Sequence, residues 1–98
     1  MKITWSPLSI ERISEIAKFI SEDKPVAAEK WVNSIFTAVE NLTSFPQSGR
    51  IVPEFNLEEI REIFHGTYRI IYEVSPEKIE ILTIRHGKQL LSETDIKK

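Results

Sequence analysis

Apolar residues recur along this chain at two different periods, and the change of period divides it in two. After Ser6-Pro7, the residues Ile10, Ile13, Ile16, Ala17 and Ile20 fall on one side of a helical wheel, while Glu11, Arg12, Glu15, Lys18 and Glu22 fall on the other. That is the signature of an amphipathic helix. Ser6 offers a hydroxyl N-cap, and Pro7 suits the first helical position, where no amide hydrogen is needed. Ser21-Glu22-Asp23-Lys24 ends this helix and Pro25 opens a second, whose apolar stripe is Ala28, Trp31, Val32, Ile35, Phe36, Val39 and Leu42. The second helix is expected to run to about Ser44, where Phe45-Pro46 stops it. So short a connector predicts an antiparallel helical hairpin.

The rest of the chain reads as strands. Lys2–Trp5 alternates and forms a short first strand. Phe45 to Leu57 follows neither period and contains Pro46, Gly49 and Pro53, which predicts a loop. Strands are then expected at about Ile60–His65, Tyr68–Val74 and Lys78–His86, joined by Gly66-Thr67 and Ser75-Pro76-Glu77, linkers short enough for antiparallel hairpins. The predicted fold class is α+β with element order βααβββ: a helical hairpin on one face of a mostly antiparallel four-stranded sheet, in one domain spanning residues 1–98. Residues 88–98 are polar and expected to fray as a tail. In the strand Tyr68–Val74, alternation puts Ile70, Tyr72 and Val74 against the helices and Arg69, Ile71 and Glu73 on the open face. In the last strand both alternating sets are apolar, so parity leaves open which of Arg85 and His86 faces away from the core.

Composition narrows the function. With 13 Lys+Arg against 15 Asp+Glu the net charge is −2, and residues 51–98 are slightly acidic. Strong nucleic-acid binders carry a basic excess, because neutralising phosphates supplies most of their affinity. There is no cysteine, which excludes disulfides, zinc–thiolate sites and thiol catalysis. His65 and His86 are isolated from one another and do not form a metal-ligand cluster. No metal and no cofactor is expected. The N-terminal residues lack a signal-like apolar region, and no apolar run approaches the roughly 18 residues that span a bilayer. A cytoplasmic location without membrane contact is the expectation.

Against that background, basic residues gather at the strand ends: Arg50, Arg61, Arg69, Arg85 and Lys88, with His65 and His86. They stand within three motifs, S-G-R-I-V-P-E, then I-R-E-I with H-G-T-Y-R-I-I-Y-E-V, then I-E-I-L-T-I-R-H-G-K. These motifs, in this order behind a strand and a helical hairpin, resemble the RelE/ParE superfamily of toxins from bacterial type II toxin–antitoxin systems, over nearly the whole chain. The resemblance implies a cognate antitoxin as partner in a hetero-oligomer, a role of the kind associated with plasmid stabilisation, and one of two activities. The ParE branch poisons DNA gyrase by contact; the RelE branch cuts mRNA on the ribosome.

Metal-free RNA cleavage needs a general base, a cation at the scissile phosphate and an acid for the leaving group. The resemblance offers Glu54, Arg69 and His86 for these roles. Each has a plainer alternative: Glu54 as a solvated loop carboxylate, Arg69 as the ion-pair partner of Glu73, and His86 as a strand-end residue with a satisfied ring. R-E-I stands where ribonuclease members place lysines. Gly87 follows His86, and no aromatic residue lies beyond Tyr72, although RNA recognition leans on stacking. The chain is therefore closer to the ParE branch, with Arg61, Arg69, Arg85 and Lys88 as candidate contacts to an acidic protein surface. Arginine suits that role because its planar fork binds carboxylates in pairs. A fold of this kind that only binds, without toxicity, is a third possibility.

Overall fold

The structure is a computed structural model that describes residues 1–96. In chain order its elements are β1 (Lys2–Trp5), α1 (Pro7–Asp23), α2 (Pro25–Glu40), a 3-10 turn (Asn41–Thr43), β2 (Arg50–Ile51), β3 (Ile60–His65), β4 (Tyr68–Val74), β5 (Lys78–His86) and α3 (Glu93–Ile96). The strands form one sheet in the order β1-β5-β4-β3-β2. β1 runs parallel to β5, and every other neighbouring pair is antiparallel.

The helical hairpin forms as its punctuation predicts. The Ser6 hydroxyl accepts from the Ser9 amide at 3.0 Å and donates to the Leu82 carbonyl at 2.7 Å, so one side chain both caps α1 and fastens it to β5. Ile13 of α1 and Ile35 and Val39 of α2, with Leu42 of the following turn, pack on Ile70, Tyr72, Ile79, Ile81 and Ile84 of the sheet. Trp31 joins them from the side, edge-to-face on Tyr68 at 5.3 Å. Two residues of the predicted stripes lie further out than expected. Ile10 is exposed, and Phe36 stands at the margin with its ring edge-on to Trp5 at 5.1 Å.

Three expectations are corrected. The loop over residues 45–57 contains a fifth, two-residue strand, Arg50–Ile51, paired with Arg61 and Glu62 of β3. The face of the sheet away from the hairpin is not open. A second apolar cluster of Val52, Ile60, Ile71, Leu82 and Leu91 lies there, with Phe55 and Ile96 packed on it. The segment after β5 forms its lid: Leu91 and Asp95 are buried, and Glu93–Ile96 is helical. The predicted fraying tail therefore docks through residue 96, and residues 97–98 lie outside the described residues.

The question parity left open is answered by a β-bulge. Ile71 is opposite Thr83 but Tyr72 is opposite Ile81, so β5 carries an extra residue at Leu82. The alternation resets there. Ile79, Ile81 and Ile84 all face the hairpin, while Leu82 joins the opposite cluster. Arg85 consequently faces the docked tail, and His86 lies on the hairpin side, edge-to-face with Tyr68 at 5.9 Å.

Candidate functional site

Strand alternation carries Arg69 to the face away from the hairpin, as expected, but that face is roofed and Arg69 is only 4% exposed. A buried guanidinium needs partners, because its desolvation is otherwise uncompensated. Its Nε donates to Oε1 of Glu62, and its two terminal nitrogens donate to Glu54 at 2.8 and 2.9 Å, a planar fork on a planar carboxylate. Nη1 also reaches the Gln89 carbonyl at 3.2 Å. The partners are thus Glu54 and Glu62, not the Glu73 that spacing suggested.

The network extends in both directions. Glu62, 1% exposed, accepts a second bond from Arg50 Nε at 2.7 Å, and the Arg50 guanidinium lies 5.1 Å from the centre of the Phe64 ring. Glu54 accepts from the Leu91 amide at 3.1 Å, which ties the loop carboxylate to the docked tail. Arg85 donates to Asp95 at 3.0 Å, and Asp95 in turn accepts from the Ser92 amide at 3.0 Å. The hydrogen bonds from Arg69 are the largest cause that holds the Glu54 carboxyl at about 2, below its ordinary 4.5; burial opposes them, and the Leu91 amide and the charge of Arg69 add to them. Glu54 in turn pushes the Arg69 guanidinium further up.

The loop motif S-G-R-I-V-P-E is explained by the same contacts. The Gly49 amide donates to the Tyr72 hydroxyl at 2.9 Å and the Gly49 carbonyl accepts from Arg61 at 3.0 Å. A Cβ at position 49 would stand 2.5 Å from both the Glu62 carbonyl oxygen and the Tyr72 hydroxyl, so only glycine lets this strand approach β3. Arg50 binds Glu62, Val52 fills the second cluster and Glu54 binds Arg69. Each second residue of the motif is thereby fixed to the sheet. Burial raises the Tyr72 hydroxyl above its ordinary value, which keeps it neutral as the acceptor for Gly49.

The sequence-predicted residues are therefore divided. Glu54 and Arg69 meet, but as a two-bonded ion pair. His86 stands on the opposite side of the sheet from them, with Nδ1 accepting from the Lys88 amide at 3.2 Å. Arg61 donates to the carbonyls of Glu58 and Gly49, Arg85 is paired with Asp95, and Lys88 is exposed. His65 bonds to the Ser34 hydroxyl of α2 at 2.8 Å. Glu62 and Asp95 are the residues that sequence reasoning missed. An acid in mid-strand on the parity of the buried Ile60 was the available signal for Glu62; nothing local marked Asp95. Among the described residues, no group of three or more His, Asp or Glu side chains converges where a metal ion could be held.

Over residues 3–91 the chain matches the family described as the ParE toxin of the type II toxin–antitoxin system, parDE. The chain belongs to this family of the RelE/ParE superfamily of toxins. It is 36% identical over 90 residues to the putative toxin Y4kP of Sinorhizobium fredii, covering 90% of each chain. It is 26% identical over 89 residues to the toxin RelE2 of Caulobacter vibrioides, covering 91% of this chain and 98% of that one. A solved structure titled as the chromosomal ParDE system from P. aeruginosa contains a chain of the same fold, with a TM-score of 0.76 at 20% identity, covering 90% of this chain and 97% of the other. Among the described residues no helix is long and apolar enough to cross a membrane.

Proposed function

We propose that this toxin acts by contact rather than by cutting RNA, with DNA gyrase as its target and a cognate antitoxin as its neutralising partner in a hetero-oligomer. One observation carries the choice. The only carboxylate offered as a general base, Glu54, is forked onto Arg69 and held near 2, so it has little tendency to take a proton at neutral pH. Arg69 is likewise committed to two carboxylates and is almost fully buried. Membership of the ParE family supports the same branch. The partner would meet the cations that remain at the surface, Arg61, Lys88 and the exposed side of Arg50, where arginine and lysine serve as contacts and no proton transfer is required. The antitoxin reading rests on the family and on the ParDE description of the structural neighbour.

The test is expression of the chain alone and beside the small gene expected next to its own. A gyrase poison induces the SOS response and traps double-strand breaks, and co-expression of the antitoxin relieves both. His86→Ala is expected to leave this toxicity intact. Arrest of translation with cut mRNA ends, abolished by His86→Ala, would establish the endonuclease instead. Harmless expression at good protein level would leave a binding module.

A further inference from the structure

On the hairpin side of the sheet, away from the Arg69 network, a cavity of about 240 Å³ opens between α1 and the end of β5. Its walls are Arg12, Glu15 and Ile16 of α1 with Tyr68, Ile84 and His86 of the sheet, and Gln89 closes one end. Arg85 borders it, but with its guanidinium turned to Asp95. Arg12 is the unusual member. Among the described residues its buried Nε has no hydrogen-bond partner, and its one ion pair is a long contact of 3.5 Å from Nη1 to the exposed Glu15 carboxylate. A buried donor without an acceptor is costly, and such groups call for an explanation. His86 adds a second donor. Because its Nδ1 accepts from the Lys88 amide, the neutral ring carries its proton on Nε2.

We infer that this pocket receives one acidic side chain, aspartate or glutamate, of the antitoxin. The inference deepens the proposed function, since it rests on that reading for the existence of the partner. The planar guanidinium edge of Arg12 matches a planar carboxylate. Ile16, Ile84 and the Tyr68 ring, itself braced edge-to-face by Trp31, form an apolar wall suited to the methylenes that carry it. Phosphate fits less well. The cavity lies against the middle of α1, where backbone amides are already bonded within the helix, so no helix-terminal amides are on hand for a dianion. Glu15 sits at the rim as an internal competitor for Arg12 and is displaced when the ligand carboxylate arrives.

N-acetylglutamate N-methylamide, its glutamine counterpart and inorganic phosphate are titrated separately into the full chain, followed by NMR at the Arg12 Nε–H and the His86 ring. The glutamate probe should shift both signals saturably and the glutamine probe should not. Arg12→Gln should weaken the glutamate probe by roughly tenfold or more, the loss of one charge-assisted bond pair. Glu15→Gln, at an exposed position where folding is not at risk, should tighten it. Arg12→Lys should not restore binding; if it does, charge alone suffices and the fork is the wrong assignment. Saturation by phosphate alone, or by none of the three, overturns the inference. Antitoxin affinity measured on the same variants completes the test. An antitoxin that binds wild type and Arg12→Gln equally overturns the pocket's role but leaves the partner reading standing. No binding of antitoxin to the wild-type chain removes the partner reading itself and the occupant with it, whatever the probe does.

Discussion

Replacing Glu54 by Gln isolates the charge in the Arg69 fork while keeping the side chain's shape. The carboxyl of Glu54 falls from 4.5 to about 2 in the folded chain, which corresponds to about 3 kcal/mol if the full effect is felt. Glu54 stands at the solvent-facing rim of the network, where water and salt screen the charge, so about 1–2 kcal/mol is the better expectation. The sign follows from the direction of the displacement. A carboxyl whose folded value is depressed stabilises the fold fully above its unfolded value of 4.5, and this contribution is lost as pH falls toward about 2. Glu54→Gln should therefore lower stability at neutral pH by about 1–2 kcal/mol, equivalent to roughly 4–15 °C in Tm for a domain of this size. Urea unfolding of both proteins from neutral pH down to the acid limit reads the difference directly. The two stability curves should converge in acid, because wild-type Glu54 is then protonated and no longer charged. Curves that stay parallel through the acid range, or coincide at neutral pH, would refute the claim that the fork on Arg69 stabilises the fold through charge.

Two further perturbations probe how the loop and tail are held. Gly49→Ala should destabilise by about 1–3 kcal/mol, because its methyl meets the Glu62 carbonyl and the Tyr72 hydroxyl at 2.5 Å; a neutral effect in chemical denaturation would mean that β2 does not pack as tightly as the structure has it. Leu91→Ala should cost about 2 kcal/mol, at the low end for a buried leucine because Leu91 covers the rim of the second cluster. The same variant should speed proteolytic cleavage after Arg85 and Lys88, and unchanged cleavage would show that Leu91 does not anchor the tail.

Much of the fold was legible because the pattern that marks each element is local. Ser6-Pro7, Pro25 and the alternation in β3 to β5 involve residues within a few positions of each other, and the strand and helix boundaries follow them. What escaped depends on contacts between distant positions. The two-residue strand Arg50–Ile51 exists because Gly49 can approach β3, and no period can be read in two residues. The bulge at Leu82 is invisible when both faces of a strand are apolar, so the sides taken by Arg85 and His86 could not be read from parity. The tail looked polar because its two anchors, Leu91 and Asp95, are separated by exposed residues, and the burial of Asp95 depends on its distant ion-pair partner Arg85.

The candidate site was legible in part. The sequence brought Glu54 and Arg69 forward as a pair of roles in catalysis, and the structure brings them together as an ion pair. The difference lies in Glu62 and the docked tail, which pack around Arg69 and each accept a further bond from it. The motifs that carry the resemblance to the family thus hold the loop, sheet and tail together, and the cations left for a partner are those at the margins of the sheet and beside α1.

The most direct measurement sets purified chain against both targets under the same conditions. It is added to a DNA gyrase supercoiling reaction and, separately, to programmed ribosomes whose mRNA is read by primer extension. Contact poisoning predicts loss of supercoiling with accumulation of cleaved DNA, reversal by the antitoxin, and intact mRNA. Cleavage of ribosome-bound mRNA with gyrase unaffected would contradict it, and would require the Glu54–Arg69 fork to open on the ribosome.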